Sequence, residues 1–150
     1  MIWSGRKARL TSCLWWGDWS NDANFDAMQR TQLDNSDVIS FHSYQPADDL
    51  EKHIEKLSRF QRPLLCTEYM ARATGSTFQE ALPVLKRHRV AAYNWGFVSG
   101  RSQTIYPWDS WQQPYPSEPP LWFHDILRPD GSPYQEEEVS FLRSTLRSCK

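Results

Sequence analysis

The chain has 150 residues, 39% of them apolar and 23% charged, with 17 basic against 18 acidic side chains and a formal net charge of −1. At the usual ~100–200 residues per domain this is a single domain. Low hydrophobicity without high net charge excludes a disordered chain, and a near-neutral balance lacks the basic stripe of a nucleic-acid binder.

The apolar share lies below the roughly 45–50% of ordinary globular domains. Aromatics compensate, at 14% of the chain with eight Trp. No run approaches the ~18 apolar residues of a membrane span. Met1 to Trp16 carries Arg6, Lys7 and Arg9 but no apolar stretch of ~7–15 residues, so no signal peptide is expected at this start. The compartment stays open. Cys13, Cys66 and Cys149 are an odd number without close spacing, which forms neither a disulfide framework nor a zinc pattern.

In chain order, Leu10–Trp15 reads as a short apolar strand, and Ser20-Asn21 opens a weak helix carrying Phe25, Met28 and Leu33. Asp37–Ser43 is a β-branched and aromatic run between turn formers, hence a strand. Leu50, Ile54, Leu57 and Phe60 then recur on one helical face. Pro63–Thr67 is continuously apolar, as buried parallel strands are. Thr77 to Glu80 forms a capping box for a helix with Phe78, Leu82 and Leu85 inward, which Pro83 should kink or restart. Val90–Trp95 is a fourth strand. From Val98 to Ser132 the chain is irregular, with Arg128-Pro-Asp-Gly131 a turn. Ser132, Pro133 and Gln135 predict the start of a last helix. In that helix Glu136, Glu137 and Glu138 form a solvated first turn, and Val139, Leu142 and Leu146 form the buried stripe.

Four strand-then-helix units in series predict an α/β fold with parallel strands and right-handed crossovers. Either a small open sheet or half of a (β/α)₈ barrel accommodates them. In such folds chemistry gathers at the C-terminal strand ends. Those ends read Trp15-Trp16, His42-Ser43-Tyr44, Glu68-Tyr69 and Trp95: one carboxylate, one imidazole and a ring of aromatics. Aromatic faces stack on sugar C–H faces, and carboxylates carry glycoside hydrolysis. Taken singly, each has a plainer role, Glu68 as a solvated loop residue, His42 as a core histidine, and the tryptophans as core. His53 and His88 read as surface or boundary residues on helices. There is no G-x-S-x-G, phosphate-binding glycine loop, C-x-x-C or H-E-x-x-H, so neither metal nor cofactor is expected.

Asp37-Val-Ile-Ser-Phe-His-Ser-Tyr44, Pro63-Leu-Leu-Cys-Thr-Glu-Tyr-Met70 and Ala92-Tyr-Asn-Trp-Gly96 resemble the sixth, seventh and eighth strands of a glycoside hydrolase barrel of the family 5 kind, often labelled cellulase-like or 1,4-β-xylanase. Gln103–Trp111 and Pro120–Asp125 continue the similarity into the closing helix, and Leu10–Ser12 with Trp15–Trp19 is similar to the region after a fifth strand. The resemblance runs over residues 10–150; residues 1–9 carry none of it. It implies a retaining hydrolase of β-linked glycans, β-1,4 among them, without cofactor or metal. It maps the nucleophile to Glu68, site-lining residues to His42 and Tyr44, and the sugar floor to Trp95; Trp15, Trp16 and Tyr69, from the strand-end reading, are expected as further substrate contacts.

The family's acid/base Glu follows an Asn at the end of the fourth strand, and no Asn-Glu pair occurs in this chain. A whole barrel needs about 250 residues. The expectation is therefore the C-terminal half of a barrel, with the nucleophile but not the proton donor, inactive alone on polysaccharide and prone to self-association through open sheet edges. Asp18 and Asp109 lie on loops rather than strand ends, and neither is expected to replace the acid. A carbohydrate-binding α/β domain, and an interaction domain whose aromatics are core, are the competing readings.

Overall fold

The structure is a computed structural model describing residues 27–147. The expected first strand, Trp15, Trp16, Cys13 and Cys149 lie outside the described residues. So does the beginning of the first helix.

Within the described residues the chain is a mixed α/β fold. Its elements are α1 (Ala27–Asp34), β1 (Ile39–His42), α2 (Ala47–Ser58), β2 (Leu64–Glu68), α3 (Phe78–Arg87), β3 (Ala91–Ala92) and α4 (Glu136–Arg147), with 3₁₀ turns at Arg72–Thr74 and Trp108–Trp111. The three strands form one parallel sheet in the order β1-β2-β3. Strands adjacent in sequence are adjacent in space, and α2 packs against α3. The order never reverses, so the described sheet has no point at which helices would switch faces.

One side of the sheet is the core. Ile39 and Phe41 of β1 and Leu64 and Cys66 of β2 bury themselves against Leu50, Ile54 and Leu57 of α2 and Phe78, Ala81, Val84 and Leu85 of α3. The 3.6-residue periodicity of α2 explains its role: Leu50, Ile54 and Leu57 share one stripe and are all fully buried. Phe60 falls past the end of that helix and is partly exposed. Thr77 caps α3, its hydroxyl accepting from the Glu80 N–H at 3.3 Å. Pro83 lies inside α3, which runs on as one element rather than restarting.

Three expectations are corrected. The strand expected over 90–95 is confined to Ala91–Ala92. The last helix begins at Glu136, because Ser132 is taken by the preceding turn. There its N–H and hydroxyl both donate to Asp130 Oδ1, at 2.9 and 2.6 Å, and Gly131 adopts φ +84°. The third concerns α4 itself, where Leu146 is 71% exposed rather than part of a buried stripe. Glu138 is buried rather than solvated, its carboxylate accepting from Arg72 Nε at 2.8 Å and Nη2 at 2.6 Å. The Arg72 guanidinium also donates to the carbonyls of Trp122 and Asp125. One buried side chain thus ties the segment after β2 to α4 and to the long loop between β3 and α4.

Candidate functional site

Because all three strands are parallel, His42, Glu68 and the segment Tyr93–Trp95 leave the sheet at the same edge. The local register decides what meets there. Ile39, Ser40 and Phe41 pair with Leu64, Leu65 and Cys66, but His42 pairs with Glu68, so Thr67 is one extra residue on β2. Strict alternation would send Glu68 to the side of Cys66, into the helix-facing core. The bulge re-aims it to the open face, where it is half-buried.

There the Glu68 carboxylate collects two partners on one oxygen. Tyr44 Oη donates to Glu68 Oε2 at 2.7 Å, and His42 Nδ1 lies 3.0 Å from the same atom. Among the described residues no hydrogen bond is made to Oε1. The His42 contact is a close approach of ring and carboxylate, and the hydrogen bond on that oxygen comes from Tyr44. Burial holds the His42 imidazole below its ordinary pKa, with the Glu68 charge pulling it upward.

A second layer of rings supports Tyr44, which is itself buried. Trp108 meets it edge-on at 5.2 Å between centroids, and His124 sits 5.4 Å away. Trp108 also packs edge-on against Phe123 at 4.9 Å. His124 Nδ1 donates to the Met70 carbonyl at 2.8 Å, and burial lowers its pKa against the upward pull of that carbonyl and of the Asp125 and Glu68 charges. Met70 has φ +67°, a left-handed conformation unfavourable for its side chain. The chain therefore turns sharply two residues after Glu68, a strained position of the sort that gathers at functional sites.

The structure brings together His42, Tyr44 and Glu68 from the residues singled out by sequence. Trp95 stands at the same edge beyond β3, 49% exposed. Tyr69 does not join them. Its ring is buried in the core, edge-on to Phe78 at 5.9 Å, and burial pushes its phenol pKa up. Being one residue past Glu68, it points to the opposite side. Trp108, Phe123 and His124 lie outside the strand ends, so strand-end reasoning missed them. Their signals in the sequence are the aromatic density of the loop between β3 and α4 and the resemblance carried by Gln103–Trp111 and Pro120–Asp125.

The other acidic groups around this region are engaged elsewhere. Thr104 donates to Asp125 at 2.7 and 2.8 Å, Glu138 holds Arg72, and Tyr115 donates to Asp109 at 3.0 Å. Among the described residues no group of three or more His, Cys, Asp or Glu side chains could hold a metal ion. No family model, no curated protein and no solved structure matches the chain.

Proposed function

We propose that this chain is the C-terminal half of a (β/α)₈ barrel, three of whose strand–helix units lie in the described residues, and that it is the nucleophile-bearing part of a retaining glycoside hydrolase acting on β-linked glycans. The observation that carries the reading is the Glu68 carboxylate, held on one oxygen by Tyr44 and approached there by His42, with no hydrogen bond on the other oxygen among the described residues. The bulge at Thr67 and the strained turn at Met70 support it, and the unreversed strand order supports the barrel.

In this reading Oε1 of Glu68 attacks the anomeric carbon as the bond to the leaving oxygen breaks, giving a glycosyl ester that water later hydrolyses. Tyr44 and His42 fix the carboxylate plane and keep Oε2 from competing. The leaving oxygen needs a proton from a second carboxyl group about 5–5.5 Å away. Asp125, Glu138 and Asp109 are already engaged, so that acid is supplied from outside the described residues.

An activated leaving group needs no proton. The test is therefore incubation of the full chain with dinitrophenyl 2-fluoro-β-glycosides of the gluco, xylo and manno series, followed by peptide mass analysis. The expected result is one sugar ester on the peptide containing Glu68, absent from Glu68→Gln. A folded chain, checked by circular dichroism, that forms no ester with any of the three overturns the reading, as does labelling that survives Glu68→Gln. Glycan binding without labelling would mark a carbohydrate-binding domain instead.

A further inference from the structure

Four of the eight tryptophans lie in the described residues, and they divide by environment. Trp122 is buried and stacked on Tyr134, with centroids 4.5 Å apart and planes within 4°. Trp95 stands beyond β3. Trp108 and Trp111 are the two ends of a single 3₁₀ turn; Trp108 is 38% exposed and Trp111 is 87% exposed. The turn thus presents most of one indole and part of a second to solvent.

The turn that carries Trp111 is built. The Gln112 and Gln113 N–H groups close it on the Asp109 carbonyl at 2.8 and 2.9 Å. The Asp109 carboxylate is held by Tyr115, whose ring packs against Tyr106 at 5.6 Å. In a 3₁₀ helix residues three apart eclipse and rise about 6 Å, so Trp111 follows Trp108 along one side. Trp108 touches Tyr44, and Tyr44 holds Glu68. Trp108 thus joins the turn that carries Trp111 to Tyr44 and the carboxylate.

The surroundings select the occupant. From Ser102 to Ser117 the chain has one charged residue, Asp109, already engaged by Tyr115. The rest is Ser, Thr, Gln, Tyr, Trp, Pro and one Ile. Such a surface offers flat apolar faces among neutral amides and hydroxyls, without the cations a polyanion requires.

We propose that Trp111 is a distal sugar-stacking platform continuous with the Glu68 site. The ligand it implies is a neutral β-linked polysaccharide chain spanning several sugar units, not a short glycoside. The proposal rests on the glycan reading of Glu68 and extends it to chain length.

Two readouts on the full chain separate the proposal from that reading. Binding of β-1,4-linked gluco-, xylo- and manno-hexaose and of the matching disaccharides is followed by tryptophan fluorescence, alongside labelling of Glu68 by the 2-fluoro glycosides. The expected result is that wild type binds at least one hexaose better than its disaccharide. Trp111→Ala should weaken that hexaose about tenfold, while labelling and disaccharide binding stay unchanged. Trp111→Tyr should restore most of the affinity. Equal hexaose affinity in wild type and Trp111→Ala overturns the platform while leaving the Glu68 reading intact, as does labelled wild type that binds no hexaose. Hexaose binding that needs Trp111 in a chain whose Glu68 is never labelled keeps the platform and overturns the nucleophile. Saturation of the Trp111 surface by a second copy of the chain, seen as concentration-dependent quenching lost in Trp111→Ala, would also overturn it.

Discussion

Glu68 accepts a hydrogen bond from Tyr44 on the oxygen that His42 also approaches, and that bond can be removed with little change of shape. A hydrogen bond to a charged group is worth about 1.5–3 kcal/mol. Tyr44→Phe should therefore slow the labelling of Glu68 by about tenfold to a hundredfold, with the circular dichroism spectrum unchanged, in a time course by mass spectrometry. Gly96 is a second informative residue. Its φ is +93°, and an added Cβ would lie 2.8 Å from Asp125 Oδ1, 3.0 Å from His124 Cβ and 3.2 Å from Thr104 Oγ1. Strain of this sort costs about 1–3 kcal/mol, so Gly96→Ala should lower the midpoint of thermal unfolding. Three histidines set a pH dependence. Burial lowers the pKa of His42 and His124, and lowers that of His53 to about 4. Between the ordinary value of 6.5 and those lowered values the unfolded chain binds more protons than the folded one, so stability falls as pH falls. Thermal melts should show the midpoint dropping from pH 7 toward pH 4, and His53→Gln should flatten that drop.

At the scale of elements, the Arg72–Glu138 pair adds a polar tie to three parts of the chain that also meet in the hydrophobic core through Met70, Ile126 and Val139. Both side chains are buried, and the guanidinium lies over the Tyr134 ring at 4.9 Å. Breaking a buried pair on one side strands the other charge, at a cost of about 3–5 kcal/mol. Glu138→Gln should therefore lower stability by that order in denaturant titration. Replacing both partners, as in Arg72→Met with Glu138→Met, should recover part of the loss, because no charge is left buried. The expectation of a solvated acidic first turn held at Glu136 and Glu137 and failed at Glu138 for a definite reason. A charge run shows where carboxylates lie along a helix, not which of them faces an arginine 66 positions earlier.

For the whole molecule, the open questions are at the margins of the sheet. β3 is two residues long, and beside it a cavity of about 300 Å³ lies between α3 and α4, lined by Tyr69, Leu82, Leu85, Val90, Leu142 and the exposed Leu146. In a closed barrel such strands have neighbours, whereas outer strands left unpaired expose backbone N–H and C=O groups that recruit partners. On the barrel reading the purified chain should elute as a dimer or larger species in size-exclusion chromatography with light scattering. A sharp monomer with one cooperative thermal transition would favour a self-contained open sheet.

Local properties were legible without coordinates. The periodicity of Leu50, Ile54 and Leu57, the capping pair Thr77 and Glu80, the turn at Gly131 and the two longer strands all depend on neighbours within a few positions. The parallel order follows from alternating strand and helix patterns, and it carries His42, Tyr44 and Glu68 to one edge. Tertiary structure alone decided the rest. The extra residue at Thr67, which turns Glu68 away from the core, is a matter of register between two strands, and no single strand encodes it. Tyr69 entered the core because its neighbour took the open face. Ser132 is the local exception, where a turn onto Asp130 competed with a helix cap and won. Trp108, Phe123 and His124 reach Tyr44 only after a long loop folds back, and Arg72 finds Glu138 only across that same closure. Contacts between residues distant in sequence depend on how the whole chain packs, so a pattern read along the chain cannot supply them.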